Sequence, residues 1–390
     1  MFEELHRIFE QMEYNKLDIL LISAPHNITY ISGYDLTLPV GAANTLTAGP
    51  TISIIARESD SECATYLITS NLEKASAQKQ NRLDALVTYT SFNVQEYIDP
   101  IKDYLEKIGS VLRAHSSNKS SKVGIELKNL PVFIKDYMEK EFPAFQFSDS
   151  SELLNSVRMT KTAREISIIR EVVKLNDIGQ NALFDNAKED IFEIDIYDKA
   201  INAMEKYCGH KPLNIAPFSV EFITGPRTSV VSYPGGPINK KTKKGDMAIF
   251  DLSLSFLGYW ADTTNTMVIG ANPTNNQLKY FNIAKKVIEA AFEIIKPGIR
   301  ACDVEAHCRK VYESYNIFGP CYIGHQIGAT VNERPSIVCH NETIIKKDMV
   351  FSLEPGAYEG EGGTAGARLE KMILVTDSGI EILSQFKWGI

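Results

Sequence analysis

The stretch that most constrains this chain is DMAIFDLSLSFLGYWADTTNTMVIG, residues 246 to 270. Two runs rich in apolar, β-branched and aromatic residues flank Gly258, the pattern of a β-hairpin. With its turn centred on 256–257, the hairpin sets Asp251 and Asp262 directly opposite each other. Cross-strand neighbours on one face hold their Cβ atoms about 5 Å apart. Two carboxylates so placed repel, so a cation must offset them or one must take a proton. On the hairpin alone two readings stay open. The aspartates are solvated at the strand ends, or they are ligands in a shared metal site.

The surrounding chain frames that hairpin. Residues 1–14 carry apolar positions at helical spacing, broken by Glu, His, Arg and Gln, which is not the pattern of a secretory leader. LDILLIS (17–23) reads as a buried strand, and NITYISGYD (27–35) as a second strand ending at a glycine turn. TISIIAR (51–57) and ATYLIT (64–69) read as a hairpin, and VQEYIDPIKDYLEKIGSVLRA as a helix interrupted at its proline. Strands alternating with helices imply an α/β domain over 1–153. Thr162 then precedes a long helix with apolar residues at 166, 169, 172 and 173. Hairpins and paired helices follow, including 275–295 and 301–315, and imply an α+β domain over 154–390.

Composition closes off some functions. The formal net charge of -8 argues against nucleic acid or an anionic membrane as partner. LDILLIS is far too short to span a bilayer, and no longer apolar run follows, so the expected setting is soluble and cytoplasmic. The six cysteines include no CxxC pair and read as reduced, mostly buried thiols.

Three more residues carry the argument to chemistry. His325 lies in YIGHQIG, Glu354 ends the apolar run VFSLE, and Glu370 opens MILVT in GARLEKMILVT. Each sits where the backbone reads as buried or half-buried, and carboxylates are rarely buried unless paired or metal-bound. A strand-end charge, or a hydrogen-bonded core histidine, is the alternative for each taken singly.

In order and local context, Asp251, Asp262, His325, Glu354 and Glu370 resemble the ligand set of the pita-bread metallohydrolases. That family includes the proline dipeptidases, aminopeptidase P, methionine aminopeptidases and creatinase. NITYISGYD resembles the signature of the N-terminal domain in the proline peptidase and creatinase branch, and VRMTKTAREISIIR resembles the opening of its catalytic domain. The resemblance implies a creatinase-like α/β domain followed by an α+β pita-bread catalytic domain. It implies two divalent cations, manganese first, with cobalt, zinc or iron as alternatives. It also implies that Asp251 and Glu370 bridge the metals, that a bridging hydroxide attacks an amide carbonyl, and that Glu354 doubles as general base and proton shuttle. The family usually forms homodimers, and a small peptide is the implied substrate.

Departures from the pattern surround that core. Ser232, with Tyr233 beside it, stands where the peptidases carry a histidine, and Asn332 replaces a second one, while Glu333 and Pro335 remain. Asn265 replaces an arginine, and Gln326 a glycine. Asparagine donates a hydrogen bond but does not exchange a proton near neutral pH. Tyr233 and Glu333 are the candidates to take over proton handling, and Ser232, Asn332 and Arg368 to touch substrate. For Arg368, orienting Glu370, binding a substrate carboxylate and plain packing stay open. Two other readings compete with a peptidase: a same-fold hydrolase or lyase for a small non-peptide molecule, such as an ectoine-, creatine- or sulfonium-like one, and a binding protein without catalysis.

Overall fold

The computed structural model describes residues 1–35, 48–116, 120–209, 213–231, 236–319 and 322–390. The chain divides into two compact units, Met1–Arg158 and Met159–Ile390. No described helix is long and apolar enough to cross a membrane.

The first unit is built on strands β1 (Ile19–Ile22), β2 (Ile52–Arg57), β3 (Cys63–Ser70), β4 (Ala85–Tyr89), β5 (Lys122–Ile125) and β6 (Gln146–Asp149). They form one mixed sheet in the order β4-β3-β2-β1-β5-β6. The expected hairpin is β2–β3, antiparallel from Ile52↔Ile68 to Arg57↔Cys63. Helices Pro100–His115 and Val132–Glu141 bring Tyr104, Ile108, Leu112, Ile134 and Met138 into one core with Ile19, Leu21, Ile54 and Val123 of the sheet.

Two expectations for this unit are corrected. Residues 27–35 do not form a strand; helix Pro25–Ser32 occupies that stretch. Pro25 stands in its first turn, and Gly33 closes it at φ 71, the asymmetry that proline and glycine favour at helix ends. The Glu126 carboxylate accepts the Ser23 and Ala24 amides at 2.6 and 2.7 Å, so an anion sits at the positive end of the helix dipole. That partner lies about a hundred residues away and overrides the β-branched local pattern. The second correction is at Pro100. The helix begins there, with Asp99 capping the amides of Ile101 and Lys102, and leaves residues 94–99 outside it.

The second unit carries β7 (Leu213–Thr224), β8 (Met247–Phe256), β9 (Tyr259–Val268), β10 (Gly324–Gln326), β11 (Glu333–Ile337), β12 (Val350–Leu353), β13 (Gly356–Tyr358), β14 (Gly366–Arg368), β15 (Lys371–Val375) and β16 (Ile380–Ile382). They form a three-stranded sheet β7-β8-β9, a five-stranded sheet β11-β10-β12-β15-β16 and the ribbon β13-β14. Helix Ala163–Asn186 starts in a full capping box: Thr162 accepts the Glu165 amide, and Glu165 accepts the Thr162 amide. Its Ile169, Val172 and Leu175 pack on Leu252, Leu254 and Tyr259 of the hairpin. Asn176 donates to the Leu252 carbonyl at 2.6 Å and Gln180 to the Thr263 carbonyl at 2.8 Å, so the helix also satisfies the sheet's polar edge. Helices Asn275–Ile294 and Ala301–Ser314 pack Val287, Val304 and Cys308 in a core with Ile323, Phe351, Leu353 and Ile373.

The hairpin register differs from the expected one by two residues. Phe256 pairs with Tyr259, so the turn is Leu257-Gly258, with φ of 56 and 78. Positive φ at both central residues defines the two-residue turn whose twist matches the strands. Asp251 therefore faces Thr264, and Asp262 faces Ser253. The two aspartates are diagonal neighbours on one face, which relaxes their repulsion and inserts a hydroxyl beside each.

Candidate metal centre

Strand alternation decides which side chains converge. Glu221, Asp251 and Thr264 lie in one row across β7, β8 and β9, since Glu221 pairs with Asp251 and Asp251 with Thr264. Ser253 and Asp262 make the next row on the same face. The opposite face, with Leu252 and Leu254, is buried in the apolar core. On the other sheet, His325 of β10 pairs with Ser352 of β12, and Glu354 follows β12 directly. Glu370 sits between β14 and β15, and its amide donates to the Thr264 carbonyl at 2.8 Å.

These elements bring Asp262, His325 and Glu370 into one buried cluster, with Glu354 on His325 and Asp251 within electrostatic reach. One donor atom from each of Asp262, His325 and Glu370 lies within 4.8 Å of the others. His325 Nε2 is 3.1 Å from Glu354 Oε1 and 3.8 Å from Asp262 Oδ2. The other ring nitrogen, Nδ1, is 2.9 Å from the Gln326 carbonyl, so it carries the proton and leaves Nε2 a bare donor when the ring is neutral. Asp251 Oδ2 is 2.5 Å from Arg368 Nη2, while Asp251 Oδ1 is buried without a hydrogen-bond partner.

Hydroxyls hold the carboxylates in place. Ser253 donates to Asp262 Oδ1 at 2.6 Å and Thr264 to Glu370 Oε2 at 2.7 Å. The Ser352 hydroxyl lies 2.7 Å from Glu370 Oε1 and 2.8 Å from the Asp262 carbonyl. The Tyr322 hydroxyl bonds the Glu354 carboxylate, and its ring stands edge-on to His325 with centroids 6.0 Å apart.

The electrostatics call for a cation. Burial, then Glu370, lifts the Asp262 carboxyl to about 7. Burial, then Glu354 and Asp251, lifts Glu370 to about 8. Asp251 is also raised, by burial and by Asp262, Glu354 and Glu221, against the opposing pull of Arg368. Burial opposes the His325 charge, but Glu354, Asp262 and Glu370 raise that ring to about 9. Burial likewise opposes the charge on Glu354, yet His325 holds it below its ordinary value. Left to themselves, Asp262 and Glu370 thus take protons near neutrality, and Asp251 keeps a buried oxygen without a partner. A set of carboxylate oxygens with one imidazole fits hard or borderline divalent cations.

The remaining sequence candidates fall as follows. Arg368 is buried against Asp251 and Glu221. Glu333 pairs with Gln326 across β10–β11 and meets Lys161 Nζ at 3.0 Å, on the strand face opposite His325. Asn332 is exposed. Ser232 and Tyr233 lie outside the described residues. Sequence reading missed Glu221, Tyr322 and the three hydroxyls. The usable signals were a lone glutamate in the apolar run of β7, and Ser253 and Thr264 two residues from the aspartates on their strands.

The comparisons with known proteins fit this geometry. Residues 167–377 match the family described as Metallopeptidase family M24, and residues 5–160 match the Creatinase/Prolidase N-terminal domain. An Xaa-Pro dipeptidase from Pyrococcus furiosus is 25% identical over 99% of this chain and 98% of its own length. Two solved structures share the fold. The prolidase from Pyrococcus horikoshii OT3 superposes with a TM-score of 0.78 at 24% identity, covering 99% of both chains. An X-Pro aminopeptidase from Thermotoga maritima superposes with a TM-score of 0.81 at 19% identity, covering 100% of this chain and 99% of the other.

Proposed function

We propose that this chain, which belongs to metallopeptidase family M24, is a cation-dependent Xaa-Pro peptidase. The observation that carries the reading is the buried meeting of Asp262, His325 and Glu370, with Glu354 on His325 and an orphan oxygen on Asp251. Asp251, Asp262, His325, Glu354 and Glu370 would hold two divalent cations, with manganese first among them. When bound, such cations lower the pKa of a water toward neutrality and polarise the scissile carbonyl. A homodimer completes the proposal, on the strength of the family resemblance.

The chain's own groups divide the remaining work. Glu354, kept ionised by His325 and bonded by Tyr322, is the group to accept a proton from the attacking water and return it to the leaving nitrogen. The Gln326 carbonyl fixes the His325 tautomer. Ser253 and Thr264 fix which oxygens of Asp262 and Glu370 remain available. Arg368 occupies one oxygen of Asp251 and leaves the other, buried and unpartnered, to serve as a ligand.

The test is hydrolysis of a panel of Xaa-Pro dipeptides and Xaa-Pro amides by Mn²⁺-loaded protein, with Asp251→Asn as the blank. Turnover that disappears with the metal in the blank is the expected result. Full metal occupancy in Asp251→Asn would overturn the ligand assignment. Absence of turnover in protein that holds its metal would overturn the peptidase reading in favour of a small non-peptide substrate.

A further inference from the structure

Arg368 is the cation paired with the carboxylate cluster, and every one of its five N–H groups is already directed at an acceptor. Nε lies 3.3 Å from the Thr264 hydroxyl, Nη1 lies 3.2 Å from the Val231 carbonyl and 3.3 Å from the Tyr358 hydroxyl, and Nη2 lies 2.7 Å from Glu221 Oε2 and 2.5 Å from Asp251 Oδ2. A guanidinium has five donors and no more. Its charge is also matched twice, by Asp251 and by Glu221. Asp251 belongs to the proposed ligand set. Glu221 does not, and its register beside Asp251 in the β7–β8 row puts it there as an added negative charge.

We infer that Glu221 is a specificity-determining residue: by engaging Arg368 it withholds the guanidinium from a substrate carboxylate, so the site prefers peptides whose proline carboxyl is an amide or continues into a longer chain. This rests on the Xaa-Pro peptidase reading and narrows it to the leaving side of the bond. A free carboxylate brought to this rim meets Glu221 and Asp251 on Arg368 and finds no open donor. For it to bind there, Arg368 would have to leave Glu221, and a half-buried carboxylate that loses its cation is disfavoured. The Arg368 side chain is only 8% exposed, while that of Glu221 is 20% exposed, so an incoming group meets the carboxylate more readily than the guanidinium. An amide or a peptide bond carries no charge to be repelled.

The experiment uses the metal-loaded full chain and two readouts. One is kcat/KM for Xaa-Pro dipeptides against their C-terminal amides. The other is calorimetric binding of proline against prolinamide. In the unmodified protein, the amide is expected to be favoured over the acid by about tenfold in both, the scale of one charge contact. In Glu221→Gln and Glu221→Leu the preference should move about tenfold toward the free carboxylate, furthest in Glu221→Leu, which also frees an N–H. A tenfold preference of the unmodified protein for the free acid would overturn the inference without needing either variant. So would an acid-to-amide ratio that both variants leave unchanged. Turnover of neither series by protein that holds its metal would overturn the peptidase reading itself, and this inference with it.

Discussion

Removing the metal should make this protein's stability and its cation affinity depend on pH in a direction set by the cluster. In the metal-free fold, Asp262 holds its proton up to about pH 7 and Glu370 up to about pH 8. The unfolded chain releases those protons near the ordinary values of 3.8 and 4.5. Between pH 5 and pH 7 the folded state therefore binds more protons than the unfolded one, and its stability falls as pH rises. Each such proton is worth about 1.4 kcal/mol per pH unit. Counting a single proton for the pair gives a loss of about 3 kcal/mol over those two units. His325, raised from 6.5 to about 9, extends the same trend above neutrality. Glu354, held low, acts in the opposite sense only below its ordinary value of 4.5. A divalent cation must displace the protons, so its apparent affinity should rise about tenfold per pH unit for each proton released. Urea midpoints of chelator-treated protein at pH 5 and pH 7, with and without Mn²⁺, read the stability. Calorimetric Mn²⁺ titrations at pH 6, in two buffers of different ionisation enthalpy, count the protons. Metal-free stability that rises over this range, or cation binding that releases no proton, would refute the reasoning.

Three substitutions probe the supports of the cluster. At Gly324, an added Cβ would collide with the Ser352 backbone carbonyl on the neighbouring strand, one residue from His325; Gly324→Ala should therefore lower Mn²⁺ content, and a full complement by elemental analysis would count against the β10–β12 register. Lys161→Met removes the cation facing Glu333 at 3.0 Å, where the two side chains are 1% and 5% exposed; the urea midpoint should report a loss of about 3 kcal/mol, and a loss under about 1 would mean the pair is solvated. Gly258→Ala forces a side chain onto a residue at φ 78 and should cost about 1 kcal/mol, measured in the same way, with no change expected if the turn lay at 256–257.

What the sequence made legible was local and periodic. The Thr162–Glu165 capping box and the stripe of helix Ala163–Asn186 follow from neighbours a few residues apart. So do helix Asn275–Ile294 and the β2–β3 hairpin. What escaped was set by distance or by single dihedral angles. Helix Pro25–Ser32 is anchored by Glu126, far along the chain, and residues 27–35 carry enough β-branched and aromatic side chains to mimic a strand. The two-residue shift in the long hairpin follows from Leu257 adopting a left-handed conformation that a leucine seldom takes. The carboxylates and the histidine come from separate segments between residues 251 and 370, and no spacing rule brings them together; the family resemblance supplied that expectation. Glu221 escaped even the resemblance, because its meaning depends on the strand register that sets it beside Asp251.

Three departures from the peptidase pattern, Asn265, Gln326 and Asn332, lie within the described residues, and their positions bear on chemistry. Asn265 lies on the face of β9 opposite Asp262 and Thr264, where it donates to the Lys387 carbonyl and accepts the Gly389 amide. Gln326 points away from the His325 face and accepts Lys161 Nζ at 2.6 Å. Asn332 is exposed, and its carbonyl accepts the Thr330 hydroxyl. All three changes therefore serve packing or the surface, and none removes a donor atom from the buried cluster. The group that reaches the cluster from outside the proposed ligand set is the Glu221 carboxylate, one strand from Asp251 and 2.7 Å from Arg368. Its negative charge works in two directions at once. It helps to raise Asp251 in the absence of metal, and it occupies the guanidinium beside the site. With cations present the first effect becomes attraction for them, while the second remains. On the ligand assignment proposed above, Glu221 leaves the cation-holding atoms in place and acts on which substrates approach them.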